Sequence, residues 1–228
     1  YNIAQSSNIM WLDGVYMLPL ILLQVSRIVR GESNKLAILV GLAILFNWYT
    51  AGIDCIFTGI WLLFEAALLC ANQKMQWKRC AKAFFYYVLE MILGVMLSAI
   101  LFLPTIGALK KSTRGSLHFE DLKNFGLLGE LPSAFQNYTY GATSGLGSVA
   151  LFCGSLTIIL CIALFLNQNV TKKCKAVLGS GFACAILMFY WNPLYVTFSL
   201  FQWVSSYHYR YSYLGCFMLL FLALYSGT

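Results

Sequence analysis

Charge is what this sequence has least of. Fifteen Lys and Arg and eight Asp and Glu make up only 10% of its 228 residues, against about 25% in an ordinary soluble domain. So few charges cannot clothe a soluble surface of this size, which excludes a cytosolic globular enzyme. Histidine is rarer still, with only His118 and His208. The eight cysteines are scattered, mostly in apolar runs, and form no C-x-x-C pair. No metal site is expected from them; they read as small packing residues. There is no P-loop, no G-x-S-x-G, no H-E-x-x-H and no pair of carboxylates at fixed spacing, so spacing alone points to no reaction. Tyr1-Asn2-Ile3-Ala4 brings no initiator Met, charged n-region or small-residue cleavage site, which argues against a signal peptide. Because Tyr225-Ser226-Gly227-Thr228 also ends on an apolar run, the chain reads as an internal piece of a longer protein.

Apolar residues are abundant: 60% of the chain is hydrophobic and 16% aromatic, with a mean hydropathy of +0.74. That composition excludes disorder and indicates an all-α polytopic transmembrane bundle, taken as one domain over residues 1–228. A spanning helix needs about 20 apolar residues. Seven stretches qualify: 11–29, 36–50 (short), 52–71, 84–104, 146–166, 177–198 and 211–226. They lack alternation and exceed strand length, so strands are not expected. Asn47-Trp48-Tyr49-Thr50-Ala51-Gly52 is the expected tight turn between the second and third.

The net charge of +7 reports membrane orientation rather than binding to nucleic acid. Ten of the fifteen basic residues lie in three short connections: Arg27, Arg30 and Lys35; Lys74, Lys78, Arg79 and Lys82; and Lys172, Lys173 and Lys175. Counted over 27–35, 72–82 and 167–175, these basic residues lead to the expectation that the connections at 30–35, 72–82 and 168–175 are cytoplasmic in a multi-pass protein of the cell membrane. The N-terminal edge then lies outside. So does the long 105–145 loop, whose basic residues do not prevent translocation. Apolar residues from Leu117 to Leu131 partly fit an amphipathic helix on the membrane surface, although Gly126 and Gly129 interrupt it.

This topology places Asp13, Asn47, Asp54, Asn192, His208 and Arg210 toward one outer face. Glu65 and Glu90 fall nearer the cytoplasmic face, where pairing with the basic loops is their expected role. Asp13 is either a first-turn carboxylate favoured by the helix dipole or part of a site. Asp54 is costly inside a span and is a functional candidate. The Tyr207-His208-Tyr209-Arg210-Tyr211-Ser212-Tyr213 run suits an interfacial aromatic belt. Arg210 adds a guanidinium fork suited to a lipid phosphate, or it snorkels as an anchor.

Several blocks occur in an order that resembles the bacterial YfhO-type membrane protein family. They are Asn8-Ile9-Met10-Trp11-Leu12-Asp13 with Leu18-Pro19-Leu20, Asn47-Trp48-Tyr49, Leu103-Pro104-Thr105 followed by Arg114, and Tyr209-Arg210-Tyr211-Ser212-Tyr213. The resemblance implies a GT-C-like glycosyltransferase. It would move a sugar from an undecaprenyl-phosphate carrier to an extracytoplasmic cell-envelope polymer such as lipoteichoic acid. In this family an acidic residue followed by Gln-Tyr precedes the Trp-Leu-Asp block, so the principal catalytic acid is expected upstream of Tyr1. Within the chain the catalytic candidates are Asp54, Asp13 and His208, and Arg210 is the lipid-phosphate ligand. Asn47, Tyr49, Asn192, Tyr209 and Tyr211 are expected to line the site. The lipid-linked sugar is the donor, and no metal or other cofactor is implied. Implied partners are membrane lipid, the polymer acceptor, and the synthase and flippase of the lipid-linked sugar. A multi-pass transporter or lipid flippase without glycosyl transfer is the alternative class. An interaction scaffold would leave the outer polar cluster without a role.

Overall fold

The computed structural model describes residues 12–72, 77–110, 119–128, 149, 151–202 and 209–226. Among these the fold is all-α, with no strand beyond an isolated antiparallel bridge between Leu127 and Trp191. The helices are α1 (Leu12–Arg30), α2 (Leu36–Ala71), α3 (Trp77–Leu97), α4 (Ala99–Lys110), α5 (Ser155–Leu166), α6 (Lys172–Tyr190), α7 (Asn192–Phe198) and α8 (Ser212–Tyr225). A 3-10 turn covers Phe119–Lys123. Among the described residues four helices are long and apolar enough to cross a membrane: Leu12–Arg30, Leu36–Ala71, Lys78–Leu97 and Lys172–Tyr190. The chain divides into two compact units, one of Asn8–Ser116 and one chiefly of Leu117–Thr228.

In the first unit α1 buries Leu18, Ile21, Leu22, Val25, Ile28 and Val29, a stripe at helical spacing. The helix numbered α2 is not straight. Asn47 has φ −156° and ψ 102°, and the chain reverses there. Before Asn47 the sequence climbs along α3: the Ala37 N–H donates to Glu90 Oε2 at 3.0 Å, and Gly41 faces Gly94 and Leu97. After Asn47 it descends: Thr58 Oγ1 meets the Tyr87 hydroxyl at 3.0 Å, and Cys70 Sγ lies 3.5 Å from Cys80 Sγ. Close approach requires Gly94, where a Cβ would sit 2.7 Å from Val40 Cβ and 2.9 Å from the Ala37 carbonyl oxygen. Gly31 has φ +73°, and a side chain there would strike the Arg79 guanidinium. Arg79 donates to the Arg30 carbonyl, joining the start of α3 to the end of α1.

In the second unit α5 packs against α8, and α6 packs against both α7 and α8. Gly215 on α8 is a close-packing point, because a Cβ would lie 2.8 Å from Leu151 and from Phe189. Thr171 caps α6 by accepting from the Cys174 N–H at 3.3 Å. Lys175 Nζ donates to the Phe165 carbonyl at 2.7 Å, tying α6 to the end of α5. Helix α7 ends in a Schellman pattern, with Phe201 N–H donating to Val196 O and Leu200 N–H to Thr197 O, both at 3.0 Å. Leu200 (φ 55°) and Phe201 (φ 57°) take left-handed conformations usually left to glycine. Each costs about 1–2 kcal/mol, and the Phe201 ring against Phe119, 5.1 Å between centroids, helps hold the turn.

The expected spans are helical where described, with four differences. The turn expected over 47–52 narrows to Asn47, and residues 48–52 are helical. The expected 84–104 span begins earlier, at Trp77, and breaks at Ser98 before α4 continues to Lys110. The expected 177–198 span begins at Lys172 and is interrupted at Trp191, whose backbone is extended. Residues 151–154 are not helical, so the helix expected over 146–166 starts at Ser155 in the described part. Helices α5 and α8, of 12 and 14 residues, are shorter than the about 20 residues a straight span needs. The surface helix expected around 117–131 is only a five-residue 3-10 turn in its described part. Asn124 Oδ1 accepts from the Gly126 N–H at 3.1 Å, a local turn that competes with helix. Residues 111–118 and 129–145 of that loop lie outside the described residues.

The thiol contact between α2 and α3 predicts that mild oxidation of the membrane-embedded chain will join Cys70 to Cys80 as a disulfide. Peptide mapping after oxidation is the check, with Cys80→Ser as control. Cross-links of Cys70 to other cysteines instead would overturn the α2–α3 register.

Candidate functional site

The first unit holds Asp13, Asn47, Tyr49 and Asp54. Asp13 is the second residue of α1 and half-buried, where the helix dipole favours a carboxylate. Asn47 is the N-terminal cap of the descending half of α2: its Oδ1 accepts from the Tyr49 N–H at 3.1 Å and the Thr50 N–H at 3.4 Å. Tyr49 is half-buried, edge-on to Trp48 at 5.8 Å. Asp54 is completely buried, about two turns below Asn47.

Asp54 is one point on a longer stripe. Asn47, Thr50, Asp54, Thr58, Trp61 and Glu65 recur at intervals of three or four residues, so they share one helical face. All but Asn47 are buried. Thr58 meets Tyr87, which also donates to the Cys55 carbonyl at 3.1 Å. Glu65 accepts from Ser26 Oγ at 2.5 Å and Trp61 Nε1 at 3.2 Å, and Arg30 lies 3.9 Å away. Glu65 thus pairs with the first basic connection as expected. Among the described residues Glu90 has no basic partner: its carboxylate accepts the Ala37 N–H, the start of the ascending half of α2. The sequence signal for Thr50, Thr58, Trp61 and Tyr87 was the same 3.6-residue period that marks an apolar face, with polar residues in the apolar places.

The second unit holds Asn192, Tyr209, Arg210 and Tyr211. Arg210 is half-buried in the turn that opens α8, and Ser212 Oγ donates to the Tyr209 carbonyl at 2.7 Å to close that turn. Tyr211 was expected to line a site but is only 1% exposed. It stacks on Phe189 (5.2 Å, 5°) and on Phe198 (5.2 Å, 28°), and its hydroxyl donates to the Met188 carbonyl at 2.9 Å. A buried Tyr hydroxyl needs such an acceptor, so Tyr211 is an anchor of the turn. Tyr209 remains half-exposed, edge-on to Tyr195 at 5.7 Å. Burial pushes its phenol above the ordinary range, and Tyr190 nearby adds to the shift. Asn192 opens α7 and is committed to the segment around 124–126: its N–H donates to the Gly126 carbonyl at 3.2 Å and its Nδ2 to the Asn124 carbonyl at 3.0 Å. His208 lies outside the described residues.

These contacts separate anchors from candidates. Asn47, Asn192 and Tyr211 hold backbone in place, whereas Asp54, Tyr209 and Arg210 are the side chains suited to chemistry. The cap at Asn47 predicts that Asn47→Ala lowers stability by about 1 kcal/mol, while Asn47→Ser or Asn47→Asp keeps most of it. Thermal unfolding of the purified chain in detergent measures the difference; equal loss in all three variants would mean that the cap is not the role of Asn47.

No curated protein and no solved structure matches this chain. The model of one protein family, described as bacterial membrane protein YfhO, matches residues 1–226. Together with the four apolar helices this gives the chain a membrane location. The blocks at Trp11-Leu12-Asp13, Asn47-Trp48-Tyr49 and Tyr209-Arg210-Tyr211 therefore lie within one continuous match, and the chain belongs to the YfhO family of bacterial membrane proteins.

Proposed function

We propose that this chain belongs to a GT-C-type membrane glycosyltransferase that moves a sugar from an undecaprenyl-phosphate carrier to an extracytoplasmic cell-envelope polymer such as lipoteichoic acid. The observation that carries this reading is Arg210. Its turn is clamped from below by Tyr211, packed between Phe189 and Phe198, and flanked by half-exposed Tyr209. A guanidinium carried on a braced turn at the start of an apolar helix is suited to a lipid phosphate, because it stays charged and can give two parallel hydrogen bonds. In the reaction a carboxylate accepts the proton of the acceptor hydroxyl as that oxygen attacks the anomeric carbon. The bond to the carrier phosphate breaks, and Arg210 stabilises the departing anion. The carboxylate is proposed to lie upstream of Tyr1, with Asp54, Asp13 and His208 as the candidates inside the chain. In this orientation the connections at 30–35, 72–82 and 168–175 are cytoplasmic.

One observation favours the alternative, a multi-pass transporter or lipid flippase. The stripe from Thr50 to Glu65 carries polar groups along a span, as a crossing path requires. Most of its described groups are hydrogen-bonded within the first unit, which suits helix packing equally well, so transfer remains the preferred reading.

In the full-length protein Arg210→Ala is expected to cut sugar transfer from a polyprenyl-phosphate donor by at least about a hundredfold while membrane insertion is unchanged. Arg210→Lys should retain a partial rate, since it keeps charge without the fork. A transfer assay normalised to protein level decides. Full activity in the Ala variant removes the phosphate role. Absence of transfer in the wild type, with carrier lipid moved across the bilayer, favours the flippase.

A further inference from the structure

Helix α3 has two opposite faces of different character. The face toward α2 carries Ala83, Tyr87, Glu90 and Gly94, all buried or half-buried, and small Gly94 lets the helices approach. The other face is a stripe of Lys78, Lys82, Phe85, Leu89, Ile92 and Met96 at alternating spacings of four and three residues. All six are exposed, Phe85 by 64% and Met96 by 65%. From Lys82 to Met96 the stripe rises about 21 Å at 1.5 Å per residue, roughly two thirds of a hydrocarbon core.

We infer that this stripe binds an anionic glycerophospholipid of the phosphatidylglycerol kind, with its phosphate at Lys78 and Lys82 and an acyl chain along Phe85, Leu89, Ile92 and Met96. The stripe has the polarity of such a lipid, cationic at one end and apolar along the rest. The first turn of α3 contains no acidic residue, and Glu90, the one carboxylate on the helix, is turned to Ala37 on the other face. The Lys82 ammonium lies 5.7 Å from the centre of the Tyr86 ring, at the border of the charged and apolar parts, where a headgroup phosphate resides. Exposed Arg79, which donates to the Arg30 carbonyl, adds positive charge at the same end, whereas Arg30 is paired with Glu65. A further protein helix fits the stripe less well: helix pairs in membranes meet through small residues, and here every apolar member is large. The inference does not depend on glycosyl transfer.

The test is lipid binding to the purified full-length protein, read by native mass spectrometry and by thermal unfolding. Phosphatidylglycerol is compared with phosphatidylcholine of identical acyl chains and with water-soluble glycerol phosphate. The wild type should retain phosphatidylglycerol in preference to phosphatidylcholine and be stabilised by it. Lys78→Gln with Lys82→Gln should weaken phosphatidylglycerol binding about thirtyfold, from roughly fivefold per cation near a membrane surface, and leave phosphatidylcholine unchanged. Lys78→Arg with Lys82→Arg should keep the preference. Both pairs are exposed, so an unchanged unfolding temperature without added lipid confirms that the variants fold. Equal retention of the two lipids by the wild type would overturn the inference. Undiminished phosphatidylglycerol binding by the Gln pair, or glycerol phosphate binding as tightly as the lipid, would do the same. So would a change of oligomeric state in the Gln pair without a change in lipid retention, because the stripe would then be a contact between copies.

Discussion

A backbone N–H inside a membrane must find an acceptor within the protein, and the first unit is organised around meeting that demand at one place. The ascending half of α2, before Asn47, is about 16 Å long at 1.5 Å per residue, about half of a hydrocarbon core. Both of its ends are therefore exposed to the problem. At its start, Gln24 Oε1 accepts from the Lys35 N–H at 2.9 Å, Asn34 Oδ1 from the Leu36 N–H at 3.2 Å and Glu90 Oε2 from the Ala37 N–H at 3.0 Å. Where it ends, Asn47 caps the next helix. Side-chain oxygens from α1, from α3 and from the connections thus make the reversal possible. Once it exists, Gly41 and Gly94 can meet and α2 can run against α3 in both directions.

The same demand changes how polar residues in these spans should be read. Thr58, Tyr87, Glu65, Ser26 and Trp61 are mutually satisfied, and a satisfied buried network fixes helix register. Such groups are expensive to strip of partners, so substitutions there would disturb packing before any chemistry. Asp54 lies one turn before Thr58 on the same helical face and is fully buried. A change at Asp54 therefore reports on both roles at once, and only a readout that separates folding from transfer assigns it. At Arg210 the turn is held by the packing of Tyr211 and by the Ser212–Tyr209 hydrogen bond.

Much of the fold was legible because the strongest signals were local. The first span begins at Leu12, one residue from its expected start, with Asp13 in its first turn. The reversal at Asn47 followed from an Asn in the middle of an apolar run, a residue that favours caps. What was hidden depended on neighbours. Lys78, Arg79 and Lys82 suggested a loop, yet they lie on α3, because long cationic side chains can extend away from an apolar helix. Trp191 interrupts a hydrophobic run with extended backbone, held by the Leu128 N–H to Tyr190 carbonyl bond at 2.7 Å and by Asn192, partners 60 residues and more away in sequence. The burial of Tyr211 was equally hidden, since four Tyr in seven residues look alike until Phe189 and Phe198 are placed on either side of one.

That last arrangement bears on how a charged residue can be presented near an apolar helix without losing its position. Arg210 has many rotatable bonds, and ordering it costs entropy. The protein places the order one residue later: Tyr211 is rigid, enclosed by two rings and bonded to the Met188 carbonyl. Ser212 closes the turn on the Tyr209 carbonyl, and Tyr209 rests on Tyr195 and Phe189. The backbone of Arg210 is therefore fixed on both sides by aromatic packing, and the residue as a whole is half-buried. An interfacial anchor needs only to reach the headgroups, and a mobile turn would serve it. A turn this strongly braced restricts where the charge can go, which is the property required for holding a phosphate in one place.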